Sequence, residues 1–464
     1  MELDMSTADF TTFSLPSNLD IGGQDLKKRT VDIVGSMEYY ELLKERGYPV
    51  RLLEVQPQAL DPRYLQPDEI VAMIGQLKEQ FPDLVHVEEI GRSLKNRPIY
   101  AVRITSPDNI EAKPSISFNG MHHAREIMTT EVTTDIMTYL ASNYQNAEKP
   151  WVQTWLDSLQ VWVIPQVNPD GNDIVWNEDT WWRKNARGSG GSTWGVDINR
   201  NYPYAWGTCG GSSGSKSSQT YRGESGGSEP ETQALMKFIK DKNVAMNVSY
   251  HSYSELVIAP YGCKGVFTPE DFIVKSIGAE FAKTLKRDSA IAQFGLVNAK
   301  DTYDYGTGWE LLYPVDGDDI SWMYAEVNTM SYVVEVNSTS QGFQPSYDKW
   351  RDRTVGAQRL GWAYMLNRMI GGAQVRGRLF DASTNQAIEG EVVIRGVKYK
   401  TEKPRRSLKG YFQKMMVPGS YELTFTAPGY QPQTISVSLD NAPVQQDIYM
   451  EKASNLGLDE LSNF

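Results

Sequence analysis

His123 and Glu126 stand three residues apart in Phe118-Asn119-Gly120-Met121-His122-His123-Ala124-Arg125-Glu126, and a single histidine, His251, lies far downstream. Side chains three apart on a helical turn can converge on one point. A neutral imidazole and a carboxylate at that spacing supply two-thirds of the two-histidine, one-glutamate set that holds a catalytic zinc ion with an open fourth position. The set needs one more histidine, and the chain has only four in total.

The elements around this stretch fit such a role. Residues 114–118 read as a buried strand, Gly120 breaks it, and 126–143 read as an amphipathic helix, so His123 and Glu126 fall on the turn between the two. His122 neighbours His123 on an extended segment and points the other way, which makes it supporting or structural. His86 lies in an alternating strand pattern and reads as structural. Upstream, 66–80 read as a helix, and 85–87 and 99–104 as strands around the turn at 91–97. Downstream, 161–165 form an apolar strand ending in the turn signature Asn168-Pro169-Asp170-Gly171. A long aromatic and glycine-rich region follows over 176–227, and loops of that size inside a domain are usually functional.

Ser228 and Glu231 are spaced as a capping box, with Pro230 in the first turn of a helix to about residue 242. Residues 244–250 read as a strand ending at His251. A further strand, 331–336, places Glu335 inside an apolar run. A lone buried glutamate costs several kcal/mol unless it has a partner or a task. A helix over 347–369 closes the region at Gly371-Gly372. Strands alternating with helices predict an α/β fold, a mixed central sheet flanked by helices, with the site along the carboxyl edge of the strands.

Composition sets limits on function. The 464 residues exceed one average domain. A 40% hydrophobic content with 12 Trp and 25 Tyr can build a large core, and a net charge of −12 argues against nucleic acid or an anionic membrane as partner. No stretch of about 18 apolar residues predicts a transmembrane helix, and residues 1–30 lack the apolar core of a signal segment. Cys209 and Cys263 are the only cysteines; they either pair once or remain two buried thiols. Residues 1–27 read as a loose leader, and 30–34, 36–46 and 50–55 as strand, helix and strand. From Gln374 the texture changes to short strands at 375–380, 391–394, 398–401, 410–416, 421–427 and 434–439, a small C-terminal β-sandwich. The expected organisation is a leader unit over 1–60, a catalytic domain over 61–372, the sandwich over 373–452 and a polar tail over 453–464.

His123-Ala124-Arg125-Glu126, Asp197-Ile198-Asn199-Arg200-Asn201, His251-Ser252-Tyr253-Ser254 and Glu335 resemble, in order and spacing, the signature blocks of the zinc carboxypeptidases of the carboxypeptidase A/B type. The likeness covers roughly residues 60–370, and the sandwich resembles the transthyretin-like, regulatory-type module that follows the catalytic domain in some relatives. The resemblance implies one zinc ion per chain, held by His123, Glu126 and His251. It implies Glu335 as general base, moving a proton from the attacking water to the leaving amine, although a salt bridge to an arginine is the structural alternative. Arg183, in Trp181-Trp182-Arg183-Lys184-Asn185, would polarise the scissile carbonyl, with Arg187 close by as a competitor.

An exopeptidase must also recognise a free carboxylate, for which a planar guanidinium fork is well suited. The resemblance assigns this to Asn199 and Arg200, with Tyr313 closing over the substrate, Tyr253 contributing to substrate binding and Arg125 contacting substrate further from its end. Tyr313 precedes Trp322 by nine residues and Trp322 precedes Glu335 by thirteen, as in the family. Ile320 occupies the selecting position of the side-chain pocket and Asp318 sits two before it, which implies a broad pocket for apolar and basic ends. The acids of Asp316-Gly317-Asp318-Asp319 have solvated loop charges or a calcium site as alternatives. The expected substrate is the C-terminus of a peptide or protein, and the expected state is a monomer, extracellular or periplasmic, with a cytoplasmic location also open. A related zinc amidase acting on acyl or cell-wall amides and a non-catalytic binder on the same fold are the alternatives.

Overall fold

Eight strands form the central sheet, in the order Asp304–Thr307, Leu256–Ala259, Met330–Val336, Met246–Ser252, Ser115–Asn119, Gln160–Ile164, Pro98–Ile104 and Val85–Arg92. The structure is a computed structural model that describes residues 1–5, 20–53, 60–189, 191–288, 291–292, 295–296 and 301–453. The Met246–Ser252 strand runs parallel to both its neighbours, and Ser115–Asn119 runs parallel to Gln160–Ile164. The two strands at the 85–104 edge pair antiparallel, so the sheet is mixed. Central strands buried on both faces need apolar side chains on both. Ile116, Phe118, Val161, Val163, Val248, Tyr250, Tyr332 and Val334 meet that need at under 1% exposure.

Helices Met128–Asn143, Asp271–Thr284 and Tyr347–Ile370 share one core with the sheet. Helix Pro230–Asp241 and helix Asp319–Val327 close a second core around Trp162, Phe238 and Trp322. The Met128–Asn143 helix carries four buried threonines, Thr129, Thr130, Thr133 and Thr134. Each turns its hydroxyl back to a carbonyl three or four residues earlier, which satisfies it without a distant partner.

Several local expectations are corrected. Asn168-Pro169-Asp170-Gly171 is the start of a helix, Pro169–Asn177: the Asn168 side chain accepts the N–H of Gly171, and proline suits the first turn. The capping box of Ser228 and Glu231 does not form. The Pro230–Asp241 helix begins after Glu229, and Ser228 instead meets Asn201 and Glu229. The described residues of the predicted loose leader, 1–5 and 20–27, contain regular structure, and 6–19 lie outside the described residues. Glu2–Asp4 and Asp20–Asp25 are strands of a four-stranded antiparallel sheet with Thr30–Val34 and Val50–Arg51, over a core of Leu3, Val31, Ile33 and Leu43. The predicted strand at 50–55 ends at Arg51, and its last residues lie outside the described residues.

The strands after Gln374 form two sheets. Tyr411–Met415, Gln374–Asp381 and Pro443–Gln445 make one, with Ile448–Met450 also pairing with Gln374–Asp381. Arg405–Arg406, Glu391–Ile394, Gly419–Thr426 and Gln433–Leu439 make the other. Residues 398–401, read as a strand, pair with no strand; the edge is taken by Arg405–Arg406. The expected tail falls outside the described residues from 454 onward.

Candidate active site

Register places the third histidine. In the parallel pair Met246–Ser252 and Met330–Val336, His251 lies directly opposite Glu335. The neighbouring Ser115–Asn119 strand ends just before His122 and His123, so all of these groups gather at the carboxyl edge of adjoining parallel strands. A short hydrogen-bonded turn, Glu126 N–H to His123 carbonyl at 3.2 Å, brings His123 and Glu126 to one side.

One donor atom from each of His123, Glu126 and His251 lies within 4.8 Å of the others, and all three residues are buried. His123 Nδ1 is 2.7 Å from Glu126 Oε1, and His251 Nδ1 is 3.1 Å from Glu126 Oε2. Burial opposes ionisation of Glu126, but the two histidines hold its carboxyl well below the usual range. Burial also works against a charged His251, yet Glu126 raises its pKa. His123 Nε2 meets Asp197 Oδ1 at 3.2 Å, leaving Nδ1 turned inward. A carboxylate on the outer nitrogen of a histidine is the arrangement that orients a metal ligand. Two imidazoles and one carboxylate, convergent and backed in this way, fit Zn²⁺.

Asp197 also organises Arg183, which donates to its Oδ2 from Nε at 3.1 Å and Nη2 at 2.9 Å. Burial would raise Asp197, but Arg183 and His123 keep it well below the ordinary carboxylate range. Arg183 lines the cavity beside Glu126, whereas Arg187 binds Glu229 away from it. Asp197 was read only as part of a sequence block; the signal for its role was its place two residues before Asn199.

Glu335 shares this cavity with His123, Glu126, Arg183, Asn199, Arg200, His251, Tyr253, Tyr313, Asp318 and Ile320. Burial pushes its carboxyl up to about 8, with Glu126 adding to the effect and His251 opposing it. Among the described residues no arginine forms an ion pair with it, in contrast to the structural alternative; Arg183 pairs with Asp197 and lies 3.9 Å from Glu126. Asn199 Oδ1 accepts the N–H of Asp319, and Arg200 Nη2 lies 3.5 Å from the Tyr313 hydroxyl. Ile320 packs with Leu256, Ile258, Leu311 and Val333. Asp318 accepts the N–H of Ser321 at 2.9 Å, and burial pushes its carboxyl up to about 6.

The profile of the zinc carboxypeptidase family matches residues 70–352, which span every residue of this cavity except Ile21, Gly22 and Gly23. The chain belongs to that family. Among curated relatives of this chain, a metallocarboxypeptidase A-like protein of Trichophyton verrucosum (strain HKI 0517) is 31% identical over 255 residues, covering 54% of this chain and 57% of the relative. Zinc carboxypeptidase A 1 of Anopheles gambiae is 28% identical over 286 residues, covering 61% of this chain and 60% of the relative. The chain thus spans less than two-thirds of the length of these two relatives. The crystal structure of carboxypeptidase A from Helicoverpa armigera superposes with a TM-score of 0.63 at 24% identity, over 76% of this chain and 91% of that one, and shares the fold.

Not every predicted group is where the sequence led. Arg125 is already engaged: its two terminal nitrogens donate to both oxygens of Asp20 at 2.7 Å and its guanidinium lies 4.2 Å from the centre of the Phe343 ring. The Tyr253 hydroxyl donates to Asp32 at 2.9 Å. Both partners come from the N-terminal sheet, whose Ile21, Gly22 and Gly23 line the mouth of the cavity. The aspartates are not solvated loop charges either. Asp316, Asp318 and Asp319 are buried and accept protons from their own and neighbouring loops. Among the described residues, His123, Glu126 and His251 are the one set of acids, histidines or cysteines converging as a metal site. His122 is buried and neutral, held down to about 4 by burial, with Nε2 3.0 Å from the Tyr202 hydroxyl. Cys209 and Cys263 form a disulfide, with Cα atoms 5.7 Å apart.

Proposed function

We propose that this chain is a zinc metallocarboxypeptidase that removes the C-terminal residue of peptides or proteins. The observation that carries the reading is a single cavity holding the His123, Glu126 and His251 set, the half-buried Glu335 and buried Arg183, and the Arg200 and Tyr313 pair. When bound, zinc supplies Lewis-acid polarisation of the attacking water and the scissile carbonyl. Glu335 accepts the proton of that water and returns it to the leaving amine; its raised pKa suits a group that must both take and give a proton near neutral pH. Arg183, fixed by Asp197, offers positive charge to the developing oxyanion. Asn199, Arg200 and Tyr313 receive the free carboxylate.

Ile320 and Asp318 together support a pocket with a broad preference for apolar and basic ends. The disulfide supports an extracellular or periplasmic location. The chain is read as a monomer, and its two C-terminal sheets as a transthyretin-like module.

The test is residue release from peptides ending in Phe, Leu, Lys, Arg, Glu or an amide, with and without a zinc chelator and beside Glu335→Gln. Chelator-sensitive release of free-acid ends is expected, with kcat reduced on the order of 10²–10⁴-fold in the variant. Bound zinc without release, or release from amides alone, would overturn the reading in favour of a binder or an amidase.

A further inference from the structure

Arg200 is held by backbone rather than by a carboxylate. Its Nε donates to the carbonyl of Gly211 at 3.1 Å and its Nη1 to the carbonyl of Asn199 at 2.8 Å, leaving Nη2 beside Tyr313. A guanidinium fixed by two carbonyls keeps its charge uncompensated for an incoming anion. Its aim, though, depends on where the Gly211 carbonyl sits.

That carbonyl belongs to a loop without regular structure, and one buried acid organises it. Asp316 is 0% exposed and receives three protons from the loop. Its Oδ2 accepts the N–H of Cys209 at 2.9 Å and of Gly211 at 3.1 Å, and its Oδ1 accepts the hydroxyl of Ser212. The loop cannot move away from this acid or slide along it. A Cβ on Gly211 would come within 2.4 Å of Val315 Cα, so the two backbones touch directly. Cys209 is joined to Cys263, and the carbonyl of Gly262 next to it accepts the N–H of Val315 at 3.0 Å. Three segments, 209–212, 262–263 and 313–317, are therefore tied into one unit; Gly262, Tyr313 and Val315 of the latter two line the cavity, and the first holds Arg200, which does.

We infer that Asp316, with the Cys209–Cys263 disulfide, is a positioning residue that sets the Gly211 carbonyl and through it aims Arg200 at the carboxylate of the substrate's last residue. The inference rests on the exopeptidase reading for its substrate, but carboxylate binding tests it apart from catalysis. Asp316 lies on the same loop as Tyr313 and Asp318, so removing its charge loosens the carboxylate end of the pocket while His251 and Glu335 stay on their strands and His123 and Glu126 on the turn after Ser115–Asn119. Misplacing a positioning group by about 1 Å can cost up to about a hundredfold.

The experiment compares wild type, Asp316→Ala, Asp316→Asn and Ser212→Ala on free-acid peptides, with thermal melting alongside. Affinity for N-acetyl-leucine and for N-acetyl-leucinamide is then measured in a Glu335→Gln background. Asp316→Ala should raise KM about tenfold or more with kcat within about threefold. It should weaken N-acetyl-leucine and leave the amide alone, so that the preference for the acid collapses. Ser212→Ala and reduction of the disulfide in the native chain should move KM the same way by less, and Asp316→Asn should recover part of the loss. If Asp316→Ala does not fold, the Ser212→Ala variant and the reduced native chain decide. Unchanged KM and unchanged acid-over-amide preference would overturn the inference, as would a loss confined to kcat. A wild type that releases no residue yet prefers N-acetyl-leucine, with that preference lost in Asp316→Ala, would sink the exopeptidase reading and leave this inference standing.

Discussion

Asp318 caps the Asp319–Val327 helix with its side chain and lines the same cavity as Ile320. The helix start favours the charged carboxylate, but burial dominates and pushes the group up to about 6. The sign follows from that direction. Below about pH 6 the carboxyl is neutral and the pocket floor is effectively apolar; above it, a fixed negative charge faces the substrate's last side chain. The ratio of kcat/KM for a Lys end over a Leu end should therefore rise by up to about tenfold in all between pH 5 and 7, as the ionised fraction climbs from about a tenth to about nine-tenths. The ratio is the right quantity because pH effects on the steps common to both substrates cancel in it. Asp318→Asn should give a flat ratio. A ratio that rises equally in the variant would mean that another group selects the basic end.

Single elements show where reading a sequence succeeds. His123 and Glu126 were legible because a strand, a glycine break and an amphipathic helix fix the turn between them, and all three signals are local. Glu335 was legible because an acid inside an apolar strand needs a task. The facing of His251 and Glu335 was not, since register is set by strand pairing across 84 residues. Asp197 escaped because its partner His123 lies 74 residues away, and nothing local to the block shows that contact. The Asp20–Asp25 strand was missed because Asp-Ile-Gly-Gly-Gln-Asp has little strand character of its own. Its glycines are explained only by the fold: a Cβ on Gly23 would fall 2.4 Å from the Tyr253 ring. This close approach lets Asp20 reach Arg125 while the strand lies across the cavity mouth. Asp20→Asn removes one buried charge and leaves Arg125 free, so kcat/KM for peptides of five or six residues should rise by about tenfold relative to blocked dipeptides. Equal effects on long and short substrates would show that the strand does not obstruct the extended substrate.

At the scale of the whole molecule, the two C-terminal sheets share a core with the central sheet. Val375, Leu379, Phe412 and Phe425 belong to the same apolar cluster as the central sheet. Polar contacts reinforce the junction: Arg405 donates to the carbonyls of Asn243, at 2.6 Å, and Val244, at 2.8 Å, which lie just before the strand that carries His251. At its centre Lys414 of the C-terminal sheets pairs with Glu270 of the unit around the central sheet, both at 0% exposure, with Tyr324, Tyr399 and Asn328 completing the acid's partners. Such a pair contributes little as a pair, because desolvation offsets attraction, but removing one partner strands a buried charge. Lys414→Met should therefore destabilise the chain by about 3–5 kcal/mol. Because the acid lies at the start of the Asp271–Thr284 helix and touches Asn328 beside the Met330–Val336 strand, the loss should reach the sheet that carries Glu335. Calorimetry should show wild type and variant each melting in one transition, with zinc loss tracking it. Two separated transitions, with zinc retained through the first, would mean that the C-terminal sheets melt alone and that the central sheet stands without them.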